Sequence, residues 1–389
     1  MYKLMKKYIL AAAAAVVLTS CTVKPQYTQP AITYVKDILA DTKSEAYGIV
    51  SRTASPRSGD AIYVIGTPAE CEKMAGVMLA SDVFDNVNGR EGHDILPDFA
   101  GETIIQLQDM ANSPYDDFIE AGNYQYLREI AVRNLISALD SVYCISPYDV
   151  EVSGVKTPAK LVVMASAANA AYGCSDIDTL LSSVGSDIRV VYPVREMFAQ
   201  VLPKEAKGLS IGVISDGDNS VSGAYSAIFQ QMSRAAQVSS STCVSFPASP
   251  TDSTDALTSF LDDYLAAGYT SPLDAILIDN PAVDVVAVQE KLDSINSKMT
   301  VDSMNYGWIV REGCVVLDAA STASATCYKI LRSENLFSHR IAYPRGEVYM
   351  THLKPDAPVL AHEYLREAGS SDQAYLVVPY NERFLTVTK

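Results

Sequence analysis

From residue 59 onward, short unbroken apolar runs alternate with amphipathic stretches. AIYVIGT (61–67) shows no polar alternation, which predicts a strand buried on both faces, and Pro68-Ala-Glu opens a helix reaching about Ser81. The same rhythm predicts a helix over 126–141, strands VYCIS and LVVMAS (161–166), a helix, strand RVVYP (189–193) and a helix to about Leu202. After the polar joint 203–208 it resumes with strand LSIGVIS, helix 222–237, strand TCVSF, helix 254–267, strand DAILID, helix 283–296, strand CVVLDA, helix 321–333 and strand RIAYP. Continuous apolar strands separated by helices indicate βαβ units, whose crossover helices cover both faces of a parallel sheet. The last runs, EVYMTHL, AYLVVP and RFLTVT, alternate apolar and polar positions and predict antiparallel strands that return across the molecule.

With 389 residues, 48% apolar and 20% charged, the chain has a globular composition and exceeds what one hydrophobic core usually organises. The expected fold is α/β, with two doubly wound lobes of mainly parallel sheet over 59–203 and 204–345, and antiparallel C-terminal strands over 346–389. A weak internal repeat supports two related halves. VVMASAANAAYGC (162–174) answers VVLDAASTASATC (315–327), and RVVYP from Arg189 answers RIAYP from Arg340.

The N-terminus adds an address. Lys3, Lys6 and Lys7 precede the apolar run ILAAAAAVVL (9–18), which is too short to cross a bilayer, and Leu18-Thr-Ser-Cys21 closes it. This pattern resembles the lipobox of bacterial lipoproteins. The resemblance implies that residues 1–20 are a signal peptide, that Cys21 is lipidated, and that 21–58 form the anchor and tether. Thr22-Val23-Lys24 follow Cys21 with no Asp, which by the same resemblance implies the outer membrane, periplasmic side. Without residues 1–20, 27 basic residues face 46 acidic ones, a net charge of −19 that excludes nucleic acid as a natural partner.

Two α/β lobes behind such a signal resemble the periplasmic-binding-protein class, especially its sugar-binding type, over about residues 59–345. IGVISDGDNSVSGAYSAIFQQM is similar to the opening of that class's second lobe. The resemblance implies a ligand cleft between the lobes and a hinge near 203–208. In open α/β sheets the ligand lies beyond the carboxyl ends of the strands. The polar residues expected there are Thr67, Ser166, Asn169, Asp216, Asp218, Asn219, Asn280 and Asp318. This acidic set suits hydroxyls, amines or a cation, and neither a G-x-x-x-x-G-K-[ST] nor a G-x-G-x-x-G phosphate loop occurs. Asp216, Asp218 and Ser220 alternate as in a calcium loop, but Val221 replaces the turn glycine and Ala227 the bidentate glutamate. His93, His339, His352 and His362 are scattered and no C-x-x-C occurs, so neither a metal nor another cofactor is expected.

The densest polar stretch is GREGHDILPDFAGE (89–102), with six ionisable side chains and three glycines. Pro97 suits a first helical position, so a short helix is expected to gather Asp94, Asp98 and Glu102, with Gly89 and Gly92 freeing the backbone around Arg90 and His93. A charged surface loop is the plain alternative. The expected function is a non-catalytic, membrane-anchored lipoprotein binding a small polar solute, such as a sugar, nucleoside or amine. Its expected contacts are Arg90, His93, Asp94 and Asp98 together with the strand-end residues.

The alternative function is a cleft enzyme, a hydrolase or isomerase, using the 90–102 loop or the pair Cys174 and Cys327. These two cysteines match in the repeat, and aspartate/glutamate racemases similarly draw one cysteine from each of two pseudo-symmetric α/β halves. In that family the cysteine follows its strand directly and precedes Asn-Thr. Here each lies about eight residues farther on, inside a helix. Cys144, Cys243 and Cys314 sit in apolar strand-like runs and are expected to be mostly buried free thiols.

Overall fold

The computed structural model describes residues 29–120, 122–143, 154–216, 223–248, 256–297, 300–353 and 375–379. Two short helices, α1 (Thr33–Ala40) and α2 (Glu45–Arg52), precede the first strand. The first lobe follows as β1 (Ala61–Gly66), α3 (Pro68–Ala80), β2 (Thr103–Gln108), α4 (Asp116–Glu120), α5 (Tyr124–Leu139), β3 (Val142–Tyr143), β4 (Gly154–Val155) and β5 (Ala159–Met164). A π-helical turn, Asn169–Gly173, runs into α6 (Cys174–Val184), then β6 (Arg189–Val191) and α7 (Pro193–Val201). The chain continues with β7 (Ser210–Ser215), α8 (Ala224–Ala236), β8 (Thr242–Pro247), α9 (Ala256–Ala266), β9 (Leu273–Asp279), α10 (Val285–Asn296), α11 (Val301–Tyr306) and β10 (Val310–Asp318). It closes with α12 (Ala319–Ser333), β11 (Arg345–Leu353) and β12 (Tyr375–Pro379).

Local chemistry sets these boundaries. All six residues of β1 are buried, and α3 starts on a capping box in which Thr67 and Glu70 satisfy each other's free backbone N–H groups, with Pro68 at the first turn. Gly185, in the left-handed region at φ 73°, ends α6. Gly212 in β7 lets Phe260 approach so closely that an added Cβ would stand 2.4 Å from its ring.

The strands form a six-stranded sheet, ordered β12-β11-β2-β1-β5-β6, and a four-stranded sheet, ordered β10-β9-β7-β8, besides the β3-β4 pair. Both main sheets are parallel except for β12, which runs antiparallel to β11. The fold is therefore α/β with two lobes of mostly parallel sheet. Four strands of each sheet share one order, β2-β1-β5-β6 matching β8-β7-β9-β10. Third strand thus answers third strand, β5 to β9. The sequence match of 162–174 with 315–327 pairs a third strand with a fourth and is not a structural equivalence.

Other expectations change. TIIQLQ forms β2 although no strand was expected there. RIAYP is not a strand, and Ile341 and Tyr343 stand in solvent; the strand begins at Arg345 and pairs parallel, not antiparallel, with β2. AYLVVP supplies the antiparallel β12, whereas RFLTVT lies outside the described residues. After Asp318 the chain returns to the first lobe, because α12 packs on α3 and α7 and β11 joins the first sheet. The second sheet is therefore drawn from 210–318, and the lobe boundary expected at 345 moves to Asp318.

The expected hinge cleft also changes. One apolar core extends from the first sheet through α7, α8 and α12 to the inner face of the second, including Ile211, Val213, Ala275, Leu277, Tyr225 and Ile228. Ile214, Ile276 and Ile278 face outward into a separate cluster with Phe260 and Leu261. At about 1.5–3 kcal/mol per buried aliphatic side chain, exposing the inner face costs on the order of 10 kcal/mol. The lobes are fused by apolar packing.

Candidate active site between the lobes

The 89–102 stretch leads into the amino end of β2, opposite the carboxyl ends where the other candidates lie. No helix forms at Pro97. Asp98 is buried and accepts hydrogen bonds from the Ser81 hydroxyl and from the backbone N–H groups of Val83 (3.0 Å) and Phe84 (2.9 Å). Asp94 accepts from the N–H groups of Asn86 (2.8 Å) and Leu96 (3.0 Å). Glu102 points inward to an ion pair with Lys160 at 2.7 Å. Arg90 and His93 are exposed, and the His93 ring contacts Asp82. Asp94 and Asp98 hold the 81–96 loop and Glu102 is taken up by Lys160, so the expected grouping of Arg90, His93, Asp94 and Asp98 with the strand ends is corrected.

At the carboxyl ends, Ser166 is buried and accepts from the Ala168 N–H at 3.2 Å. Asn280 ties β9 to β7, donating to the Ser215 carbonyl at 2.8 Å and accepting from the Ala282 N–H at 2.9 Å. Asp318 caps α12 through the Ser321 N–H and hydroxyl, both at 2.8 Å. Asp218, Asn219 and Cys21 lie outside the described residues.

The chemistry converges on Asn280 and Asp318, which the sequence pattern singled out, together with Glu70, Lys73 and Asp279, which it did not. A shallow depression is lined by Glu70, Lys73, Met74, Asp279, Asn280 and Asp318, bringing α3 of the first lobe against the ends of β9 and β10. Glu70 is 4% exposed, and its carboxylate accepts from the Thr67 N–H (2.9 Å) and hydroxyl (3.1 Å) at the helix N-terminus, where the backbone dipoles favour negative charge. Lys73, one turn on, donates to the Val283 carbonyl across the lobes at 3.3 Å. Asp279 ends β9 at 5% exposure and accepts from the Tyr225 hydroxyl at 2.8 Å. Burial first, then the negative charge of Glu70 and, farther down, those of Asp216 and Asp318, push the Asp279 carboxyl well above the usual aspartate range.

Polar groups continue from this point into both lobes. Asp109, at the end of β2, is fully buried and accepts from Asn112 (2.8 Å), Tyr115 (2.9 Å), Asn134 (2.6 Å) and Thr351 (2.6 Å). Burial and the charges of Asp109 and Glu70 raise the Tyr115 hydroxyl's pKa. Beside it stands Asn169, fully buried, whose side chain reaches the Tyr115 hydroxyl and works against that rise; it opens the π-helical turn, a distortion that recurs at functional sites. The Ser215 hydroxyl is buried and completes no hydrogen bond. Register places Ser215 opposite Asp279, so both side chains share the face that Val213 and Leu277 turn toward the first lobe.

Cys174 and Cys327 do not join this site. They are buried in α6 and α12, and burial pushes both thiols up, the opposite of an activated thiolate. Cys71, Cys243 and Cys314 are also free. Among the described residues, no three His, Cys, Asp or Glu side chains converge as a metal site.

No protein-family model and no curated protein sequence matches the chain. Among solved structures it is similar to a glutamate racemase isoform from Bacillus anthracis, with a TM-score of 0.45 and 14% identity over 76% of this chain and 89% of that one. Glutamate racemase from Francisella tularensis in complex with D-glutamate gives 0.41 and 12% over 80% of this chain and 96% of that one. The enzyme from Thermus thermophilus in complex with beta-chloro-D-alanine gives 0.43 and 13% over 80% and 95%. These neighbours are enzymes, and the expectation of a non-catalytic solute binder is corrected on that finding. At such identities the likeness concerns the course of the chain alone, and no cysteine directly follows a described strand at either lobe's carboxyl edge.

Proposed function

We propose that the chain is an acid–base enzyme that moves a proton at a carbon of a small substrate bound between the lobes, an isomerase-type reaction. The observation that carries this reading is Asp279, a buried carboxyl raised by its burial and by the charge of Glu70 from the opposite lobe. A buried carboxyl held above its ordinary range beside a second carboxyl is a pairing that acid–base chemistry uses. Glu70 takes a proton from a substrate carbon beside a carbonyl. Asp279 delivers its own proton to that carbon or to the adjacent oxygen, with Tyr225 orienting its carboxyl group. Each turnover leaves Glu70 protonated and Asp279 ionised; the reverse reaction starts from that state, and proton exchange of both groups with solvent restores the forward one. Positioned groups of this kind contribute roughly 10²–10⁴-fold in rate.

The Leu18-Thr-Ser-Cys21 pattern supports an enzyme held by a lipid on Cys21 at the periplasmic side of an outer membrane. No helix among the described residues is long and apolar enough to cross a membrane. Catalysis is tested by incubating the purified chain in D₂O with a panel of amino and hydroxy acids and following loss of the α-proton by NMR. Exchange that disappears in Asp279→Asn is the expected result. Absence of exchange across the panel, or exchange that survives Asp279→Asn, overturns the proposal.

A further inference from the structure

Resting on the acid–base reading of this site, we infer that Lys73 is a further catalytic residue, the cation that meets the negative charge forming on the substrate's carbonyl oxygen when Glu70 takes the neighbouring proton.

The chemistry sets the requirement. When Glu70 removes the proton, the C–H electron pair moves into the bond to the carbonyl carbon, and the carbonyl π pair moves onto oxygen. The intermediate is an enolate. Glu70 is then neutral, and Asp279 keeps its proton until it delivers it to the carbon and the electron pairs return. Neither carboxyl group supplies a positive charge to the oxygen. Fixed charges aimed at such an oxygen are among the largest contributions to catalysis.

Lys73 meets the requirement. Among the described residues lining the depression it alone is basic, beside Glu70, Asp279, Asp318 and apolar groups such as Met74 and Pro281. It follows Glu70 by three residues on α3, a spacing that sets both side chains on one helix face. Although three carboxyl groups share the wall, Lys73 makes no ion pair among the described residues. It is half-buried and donates one hydrogen bond, to the Val283 carbonyl at 3.3 Å. An ammonium group has three donors, so two remain for a substrate oxygen. Val283 belongs to the loop that leaves β9 after Asp279, so this bond draws the ammonium from the first lobe toward the end of that strand. Asp318 is engaged elsewhere: the Ser321 N–H and hydroxyl hold it at the N-terminus of α12, where the helix dipole offsets its charge.

A proton-linkage consequence follows. An anion held by Lys73 lies beside Glu70, so its binding favours protonated Glu70 and takes up a proton.

The test is calorimetric titration of the full chain with oxalate, a planar dianion shaped like the enolate of a hydroxy acid, in two buffers of different ionisation heat. Binding with proton uptake is expected, roughly tenfold weaker in Lys73→Met. It should be tighter in Glu70→Gln, which removes the charge yet keeps a side chain suited to the capping box. No oxalate binding, affinity unchanged in Lys73→Met, or binding no tighter in Glu70→Gln overturns the inference. α-Proton exchange with the amino and hydroxy acids separates the two claims. There Lys73→Met should lower kcat about 100-fold or more with a smaller change in KM, and Lys73→Arg should recover part of the loss. Exchange at undiminished kcat in Lys73→Met removes Lys73 from the chemistry and leaves the acid–base reading standing. Oxalate binding that depends on Lys73, without exchange in the wild type, keeps Lys73 as the cation of the site and counts against the acid–base reading. A mere tie between the lobes would lower the Tm of Lys73→Met and move neither readout.

Discussion

Replacing Lys160 by Met tests how the first lobe is held together. The Lys160 ammonium is fully buried, pairs with Glu102 at 2.7 Å, and donates to the carbonyls of Ser58 and Leu336, both at 2.8 Å. Glu102 also accepts from the Ser338 N–H at 2.6 Å, so the pair joins the segment before β1, the entry to β2 and the return from α12 to β11. Methionine fills similar volume but leaves a buried carboxylate unpaired, a loss of about 3–5 kcal/mol. The two orphaned carbonyls add about 1 kcal/mol or more. Burial raises the Glu102 carboxyl and Lys160 pulls it back down, so removing Lys160 raises it further. A raised carboxyl contributes its full stability below the ordinary value of 4.5 and loses it as pH rises through the folded value. The deficit of Lys160→Met is therefore largest near neutral pH and shrinks toward pH 4.5. Urea unfolding followed by circular dichroism at both pH values measures it, and adding Glu102→Gln should restore about 2 kcal/mol. A deficit below about 1 kcal/mol at neutral pH, or no recovery in the double variant, refutes the reasoning.

Asp279→Asn should abolish proton exchange yet raise stability near neutral pH by about 1–2 kcal/mol, the trade expected of a strained catalytic group. The sign follows from its raised carboxyl: stability is complete below the ordinary value of 3.8 and falls as pH rises, and the amide removes that fall in thermal melts taken across the range. Cys174→Ala and Cys327→Ala should each retain exchange activity, since both thiols are buried; loss of activity in either, with the fold intact by circular dichroism, would return catalysis to the thiols. Growth with a labelled fatty-acid analogue should mark the chain, and Cys21→Ala should lose the label; a labelled variant contradicts lipidation.

The repeated units were legible because their signals are local. AIYVIG followed by TPAE states a buried strand and a capped helix within a dozen residues. β2 escaped because Gln106 and Gln108, which hydrogen-bond to each other at 3.1 Å, interrupt its apolar run. EVYMTHL alternates like an antiparallel strand, yet it pairs parallel with β2 on one side and antiparallel with β12 on the other, a context set by distant chain. The 89–102 stretch drew attention through charge density, but Asp94 and Asp98 are spent on backbone N–H groups. Glu70 looks like a helix opener and is one; nothing near it in sequence announces residue 279. One signal was present, since an acid closing the apolar run LDAILID places a carboxyl at a buried strand end.

Everything proposed for the interlobe site rests on Asp279 holding its proton well above the ordinary aspartate range. Carbon-13 NMR of the chain labelled at aspartate side-chain carboxyls, titrated from pH 4 to pH 9 and compared with Asp279→Asn, observes this directly (titration limits set about the ordinary and raised ranges). The signal missing from the variant should titrate well above the ordinary aspartate range in wild type. A signal that titrates near the ordinary aspartate value of 3.8 would contradict the assignment of Asp279 as the acid.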